Sequence, residues 1–441
     1  GRRAGGRAGG WGGAATSTAP SSPPQRGRRQ RVVTGSLIKP ERRTRADLLA
    51  AAAIAMVVAV AAALIWWTSD ARATISRPAA TPAPVVAPAR AVPARVQQLW
   101  TADSPRTRAP VLVDGAVITG NGREMAGRDP ATGAQRWSFA RDRELCGVTW
   151  VYDLAVAVYP DDRGCGQVST IDARTGQRGP TRSGYADKQI TLSSDGTTVL
   201  SAGRTRVEMW RSDMVRTLAY GDLDAPVNPP VPAKPPCQFL SSAASSSGMS
   251  ILQTCPNNPS VRLTLLKVAK EDVSPDQRYA QQPGVSPDSG AKVLAVSDLR
   301  TAAYLPTPQP RIAVYDETGQ EVSSTLLPKP AAPDGTVTRA AGLLTYWTGD
   351  SVVVLDADTL AYRYTVNAGT AVPLGPGTIM ADQLLIPVTG GIGVYESAHG
   401  TLQRMIPVDR GAAAGPIVPA VAGTTVLEQR GATLVALGER G

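Results

Sequence analysis

The chain predicts an all-β fold, a β-propeller of eight blades rather than seven, preceded by one transmembrane α-helix and a disordered N-terminal tail. Three observations predict it. A turn motif recurs about every 40 residues through the C-terminal two thirds, a single apolar run stands near the N-terminus, and a basic Gly/Ser/Pro-rich segment precedes that run.

Residues 1–47 form the first element. They carry Arg2, Arg3, Arg7, Arg26, Arg28, Arg29, Arg31, Lys39, Arg42, Arg43 and Arg45 against Glu41 and Asp47, a net charge of +9. Segment 1–36 cannot bury enough apolar surface to offset its chain entropy, so disorder is expected. The positive-inside rule places this tail in the cytoplasm and everything after the apolar run outside. The basic pI of 9.7 belongs to the tail: residues 48–441 hold 35 cations and 34 anions, which leaves no nucleic-acid footprint.

Residues 48–67 run from Leu48 to Trp67 without a charge. Twenty helical residues rise about 30 Å, the thickness of a bilayer core. Trp66 and Trp67 fall where an interfacial anchor belongs. A cleaved signal peptide would have a shorter apolar region and a shorter leader than 47 residues. Residues 68–95 follow as a Pro/Ala-rich linker, in which Ser76–Ala94 is expected to extend as a semi-rigid stalk that holds the next domain off the membrane.

Residues 96–441 contain the repeats. The clearest copy is Asp129-Pro-Ala-Thr132-Gly133-Ala-Gln-Arg-Trp137; Asp172–Gly176, Asp316–Gly319, Asp356–Thr359 with Tyr364, and Glu396–Gly400 are others. Weaker equivalents lie near Trp210–Asp213, Leu266–Lys267 and Leu434–Leu437, which makes eight. In the clear copies, an apolar strand enters an acid whose carboxylate accepts backbone N–H groups, Gly supplies positive φ, and the chain returns as an outer strand whose Trp or Tyr lies over the blade. The 346 residues give about 43 per blade for eight blades and about 49 for seven, and a blade takes about 40 to 45. The last copy lacks an outer strand, and Val96–Trp100 looks like an outer strand without a blade. Pairing them closes the ring. Asp114-Gly115, Asp195-Gly196 and Asp334-Gly335 read as hairpin dipeptides.

The Asp-x-x-Thr-Gly-x-x-x-Trp turn resembles that of the pyrroloquinoline-quinone-like repeat propellers, over residues 96–441. The layout of basic tail, single span and such a propeller is similar to the envelope membrane proteins of high-GC actinobacteria, mycobacteria included. That resemblance implies a fold and a location and no particular reaction.

The four cysteines fall into two local pairs, Cys146/Cys165 and Cys237/Cys255, separated by 19 and 18 residues. Two disulfides in an oxidising compartment are expected, although the sequence leaves a cross-pairing such as Cys165–Cys237 open. Zinc would need closer pairs and histidines. The chain has one histidine, His399, at the Thr position of a motif turn, so no Ser-His-Asp or Cys-His set is supported. Carboxylate pairs such as Asp161/Asp162 fall on turns.

These observations point to a non-catalytic, membrane-anchored extracytoplasmic propeller that binds or scaffolds a protein or cell-envelope glycan, with no cofactor and no metal. The alternative is a pyrroloquinoline-quinone-dependent oxidoreductase, for which no converging tryptophan, arginines and calcium site can be assigned. The longest interruption is Asp222–Cys237, with six prolines. It is expected to be an exposed loop, and its Val227, Asn228, Val231 and Lys234 are the candidate binding residues.

Overall fold

The computed structural model describes residues 44–223, 237–256, 258–282, 284–298, 300–411 and 415–439. The tail expected to be disordered, residues 1–36, lies outside the described residues. Helix α1 spans Arg45–Trp67, three residues longer at its start than the sequence places it. Thr44 caps it, because Thr44 Oγ1 accepts the Asp47 N–H at 3.2 Å and the Asp47 carboxylate accepts the Thr44 N–H at 2.8 Å. With a mean hydropathy of 2.8 and apolar residues on every side, the helix is long and apolar enough to cross a membrane.

The described residues of the second unit form eight antiparallel sheets. Seven lie at 111–140, 147–183, 191–221, 238–281, 292–326, 336–366 and 378–407, and the eighth combines 417–438 with Gln97–Asp103. These are blades 1 to 8, with strands A to D in each. The A strands of successive blades touch, as Gln238–Ser245 touches Lys292–Ser297, while D strands such as Glu321–Leu326 are exposed. The A strands therefore line the axis and the D strands the rim. Antiparallel order puts every A–B and C–D turn on one face of the ring and every B–C and D–A connection on the other. The ring closes as the sequence requires: Gln97 pairs with Gly438 and Asp103 with Thr433, making the N-terminal strand D of blade 8.

The turn motif does its work through backbone hydrogen bonds. Asp129 Oδ1 accepts the N–H groups of Ala131 and Thr132, both at 3.0 Å, and the Thr132 hydroxyl at 3.1 Å. Asp172, Asp316 and Asp356 do the same, and Glu396 uses its two oxygens on Ala398 and His399. The aromatic residue that follows does more than the expectation: Trp137 lies over its own blade, against the Gly127 backbone, and all three aromatic residues also lock onto the next blade. Trp100 Nε1 donates to the Pro130 carbonyl at 2.9 Å, Trp137 Nε1 to Ala173 at 2.7 Å, and Tyr364 Oη to Ser397 at 2.6 Å. The motif glycine makes room. A Cβ at Gly133, Gly176 or Gly400 would lie within 2.6 Å of that aromatic side chain.

Two further expectations change. Asp114 and Gly115, at φ +45° and +83°, form the A–B hairpin of blade 1, and Asp195-Gly196 lies in the A–B loop of blade 3. Asp334-Gly335 is no hairpin; it leads into the inner strand Thr336–Ala340. The Pro/Ala-rich segment does not stand free as a stalk. Ile75–Arg77 pairs with the outer strand of blade 1, Ile75 opposite Ala140. The Ala79 and Ala83 N–H groups donate to the carbonyls of Thr175 and Arg174 in the blade 2 turn, and Ala83 is fully buried. Pro84 then passes the blade 1 A–B turn at Gly115, Val86 reaches Gly423 of blade 8, and Val92 and Pro93 accept hydrogen bonds from Arg404 of blade 7. The physical cause is an open edge. The outer strand of blade 1 offers unpaired backbone groups, and the alanines between the prolines still carry donors that can be satisfied there. Seven residues, 68–74, separate α1 from the first paired strand.

Candidate functional site

The B–C/D–A face carries two adjoining depressions, of about 440 and 460 Å³. They share Arg108, Gln189 and Ile190 on the connections that enter blades 1 and 3. Four cations line them, Arg106, Arg108, Lys188 and Arg204, against one carboxylate, Glu144. Arg106 pairs with Glu144 at 2.9 Å. Among the described residues, the Arg108, Lys188 and Arg204 side chains have no ion-pair partner and are exposed.

The backbone at Lys188 and Arg204 is held in place. The Asp187 carbonyl accepts the Cys165 N–H at 3.1 Å, and its carboxylate accepts the Thr205 N–H at 2.8 Å and hydroxyl at 2.7 Å, which fixes Lys188 beside blade 3. The Arg204 carbonyl accepts the Phe239 N–H at 2.7 Å, and the Thr205 carbonyl accepts the Asp222 N–H at 2.9 Å. Asp222 and Phe239 flank the Pro-rich connection. Both ends of that connection are thus clamped to the B–C turn of blade 3, on the rim of the depression of about 440 Å³. Val227, Asn228, Val231 and Lys234 themselves lie outside the described residues.

Both expected disulfides form, with Cα–Cα distances of 6.1 Å for Cys146–Cys165 and 4.2 Å for Cys237–Cys255. They occupy matching places in blades 2 and 4. Each ties the residue before strand A to the B–C hairpin of the same blade. The sequence spacing reflects this repetition, and both bridges brace the face that bears the cradle. Nearby, Asp161 is a turn acid. Burial pushes its carboxyl up, but hydrogen bonds from Gln167 at 2.5 Å and Arg163 at 2.9 Å outweigh it and hold the group below the usual carboxylate range.

The axial cavity, about 470 Å³, is lined by Trp150, Ser193, Ser242, Val293, Thr338 and Arg339 among others. Among the described residues no group of three or more His, Cys, Asp or Glu side chains is placed to hold a metal. His399 is exposed on the blade 7 turn, its Nδ1 3.1 Å from Glu396.

Sequence reasoning missed Arg108, Lys188 and Arg204. They come from three separate connections, and the near-neutral charge of the propeller hides a local excess that exists only once blades 1 to 4 are set side by side.

No family model and no curated protein matches the chain. Solved structures do. BamB from Moraxella catarrhalis is similar at 13% identity and a TM-score of 0.47, covering 78% of this chain and all of its own. The computationally designed Ika8 protein is similar at 12% identity and 0.50, again over 78% and 100%. The C-terminal WD40 domain of Sif2 is similar at 8% identity and 0.49, over 79% and 99%. Likeness of this order is a likeness of fold.

Proposed function

We propose that the chain is a membrane-anchored, extracytoplasmic propeller that binds or scaffolds an envelope partner, a protein or a glycan with an acidic face, and that it is not a catalyst. The observation that carries this is the cradle on the B–C/D–A face, where Arg108, Lys188 and Arg204 stand around two adjoining depressions with no carboxylate to neutralise them. Uncommitted cations on a braced surface serve recognition and steering rather than stability. Val227, Asn228, Val231 and Lys234, whose connection is flanked by Asp222 and Phe239 at this rim, are proposed as further contacts of the same partner.

Location rests on three supports. The α1 sequence suits a membrane span, the +9 tail favours a cytoplasmic N-terminus, and the two disulfides suit an oxidising compartment. Kinship with the pyroloquinoline-quinone-like repeats and with actinobacterial envelope proteins belongs to the same proposal, on the strength of the motif turn and the layout.

The test is cross-linking in living cells from a photoreactive side chain at position 189, in the parent chain and again with Arg108, Lys188 and Arg204 jointly reversed to Glu. Capture should be lost while melting stays near that of the parent chain, since none of the three has an ion pair to break. Undiminished capture overturns the cradle. Oxidation of an alcohol or sugar by the purified chain with pyrroloquinoline quinone and calcium overturns the non-catalytic reading. A reporter active only in the cytoplasm, fused after Gly441, should be silent, and activity there overturns the orientation.

A further inference from the structure

Trp100, Trp137 and Tyr364 occupy one repeated position. Each is the strand D residue opposite the second residue before the turn acid or its counterpart, namely Ala436, Gly127 and Val354. In blade 4 that position is Arg278, opposite Leu265. Arg278 is exposed, and its guanidinium donates to the neighbouring Gln277 carbonyl rather than across to blade 5.

The receiving turn in blade 5 is nevertheless built like the others. Gly319 keeps its positive φ of +86°. The three atoms nearest to a Cβ there would be the Tyr279 carbonyl oxygen at 3.2 Å, Leu265 Cδ1 at 3.4 Å and the Tyr279 carbonyl carbon at 3.5 Å, none of them in a ring. The Glu317 carbonyl, counterpart of those of Pro130, Ala173 and Ser397, accepts no hydrogen bond among the described residues.

Two other junctions without an aromatic are filled another way. Arg404 of blade 7 binds the strap and brings Val92 against the core between blades 7 and 8, and in the blade 6 turn the glycine position is taken by Leu360, fully buried. Between blades 4 and 5 the space stays open as a cavity of about 290 Å³. Leu265 and Val296, both buried, are its apolar wall between blades 4 and 5; Met249 and Leu266 also border it but belong to the core between blades 3 and 4, and Lys267, Asp276, Arg278 and Asp298 make the rest of the wall polar. A cavity of about 150 Å³ is enough to hold benzene, so this one has room for an indole. Across its mouth lies the Lys267–Glu317 pair at 3.4 Å, both side chains about half exposed. An exposed pair of this kind contributes little and parts readily.

We propose that this slot is a docking pocket for a tryptophan side chain of a partner protein, seated as Trp137 is seated in blade 2, with its indole N–H donating to the Glu317 carbonyl. The pocket takes in trans the contact that the chain makes elsewhere in cis. It lies on the A–B/C–D face, opposite the cradle, so either site stands without the other.

The test uses the full chain in detergent micelles with carbon-13-labelled leucine methyls. N-acetyltryptophanamide should shift the Leu265 methyls saturably, with a dissociation constant on the order of 1 mM, and leave Leu200 and Leu385 unmoved. N-acetylleucinamide should produce no saturable shift. Arg278→Trp fills the slot in cis, and should weaken the probe at least tenfold and raise the melting temperature. Absence of a Leu265 shift overturns the pocket. An equal response to the leucine probe overturns its aromatic selectivity, and unchanged affinity in a folded R278W chain overturns its location. Should R278W fail to fold, the two probes on the parent chain decide.

Discussion

The indole nitrogen of Trp137 lies 2.7 Å from the carbonyl oxygen of Ala173, so the last residue of one motif copy is fastened to the start of the next. The ring is buried at 1% exposure, between the Gly127 backbone of its own blade and Gly176 of the neighbour. Adjacent blades are thereby joined by a directional bond as well as by packing.

Trp137→Phe keeps most of the packing and leaves the Ala173 carbonyl unpaired, which should cost about 1–3 kcal/mol. Trp137→Ala adds the cavity and should cost about 3–5 kcal/mol. Denaturant unfolding followed by circular dichroism measures both. If the Phe variant unfolds with the parent, packing alone makes the lock.

Closure by Gln97–Asp103 and docking of the strap predict a graded series of truncations. A chain beginning at Thr74 should melt highest. One beginning at Pro93 loses the pairing of Ile75–Arg77 and the buried Ala83, and should melt several degrees lower. One beginning at Arg106 loses Trp100 and the closing strand and should be largely unfolded. Equal melting of the first two chains would show that the strap is a passenger.

Glu428 is fully buried and accepts two hydrogen bonds each from Arg410 and Arg430, at 2.6 to 2.9 Å. Glu428→Gln leaves two guanidiniums without a counter-charge where Arg410 is itself 4% exposed. The expected loss is about 3–5 kcal/mol. Thermal unfolding of the variant checks it.

Each disulfide closes a loop of nearly twenty residues, which corresponds to about 3 kcal/mol of unfolded-state entropy. Thiol labelling of the unreduced, denatured chain should find no reactive cysteine. Cys237→Ser paired with Cys255→Ser should lower stability by about that amount, and also loosen the ends of the Pro-rich connection, read as faster proteolysis there.

Asp356 is held well below the usual carboxylate range, first by its hydrogen bond from Arg363 and then by the Thr359 amide. In Asp129, burial works the other way, but Arg136 and the turn amides outweigh it. A carboxyl depressed in the folded state stabilises above its unfolded pKa of about 3.9, and that contribution fades as pH falls through the folded value. Melting temperature should therefore drop below about pH 4. Asp356→Asn, which keeps an acceptor for the turn, should flatten part of that drop; an unchanged profile would show that other acids set it.

The sequence by itself determined the repeat, its period, the ring closure and the apolar helix; it favoured eight blades over seven and local cysteine pairs over a cross-pairing, and the structure decided both. The features it determined are encoded locally or by recurrence: an Asp and a Gly make their turn within five residues, and twenty uncharged residues announce themselves. Tertiary structure decided what depends on neighbours distant along the chain. Trp137 reads in sequence as a cover for its own blade, because nothing local says that a glycine in the next blade has left it a place. The Pro/Ala segment reads as a stalk because composition reports stiffness, and only the open edge of blade 1 turns it into a strap. The cradle of Arg108, Lys188 and Arg204 and the empty slot beside Arg278 are products of blade-to-blade placement. Their charge balance and their volume are set by which side chains the ring brings together, a quantity that no single repeat contains.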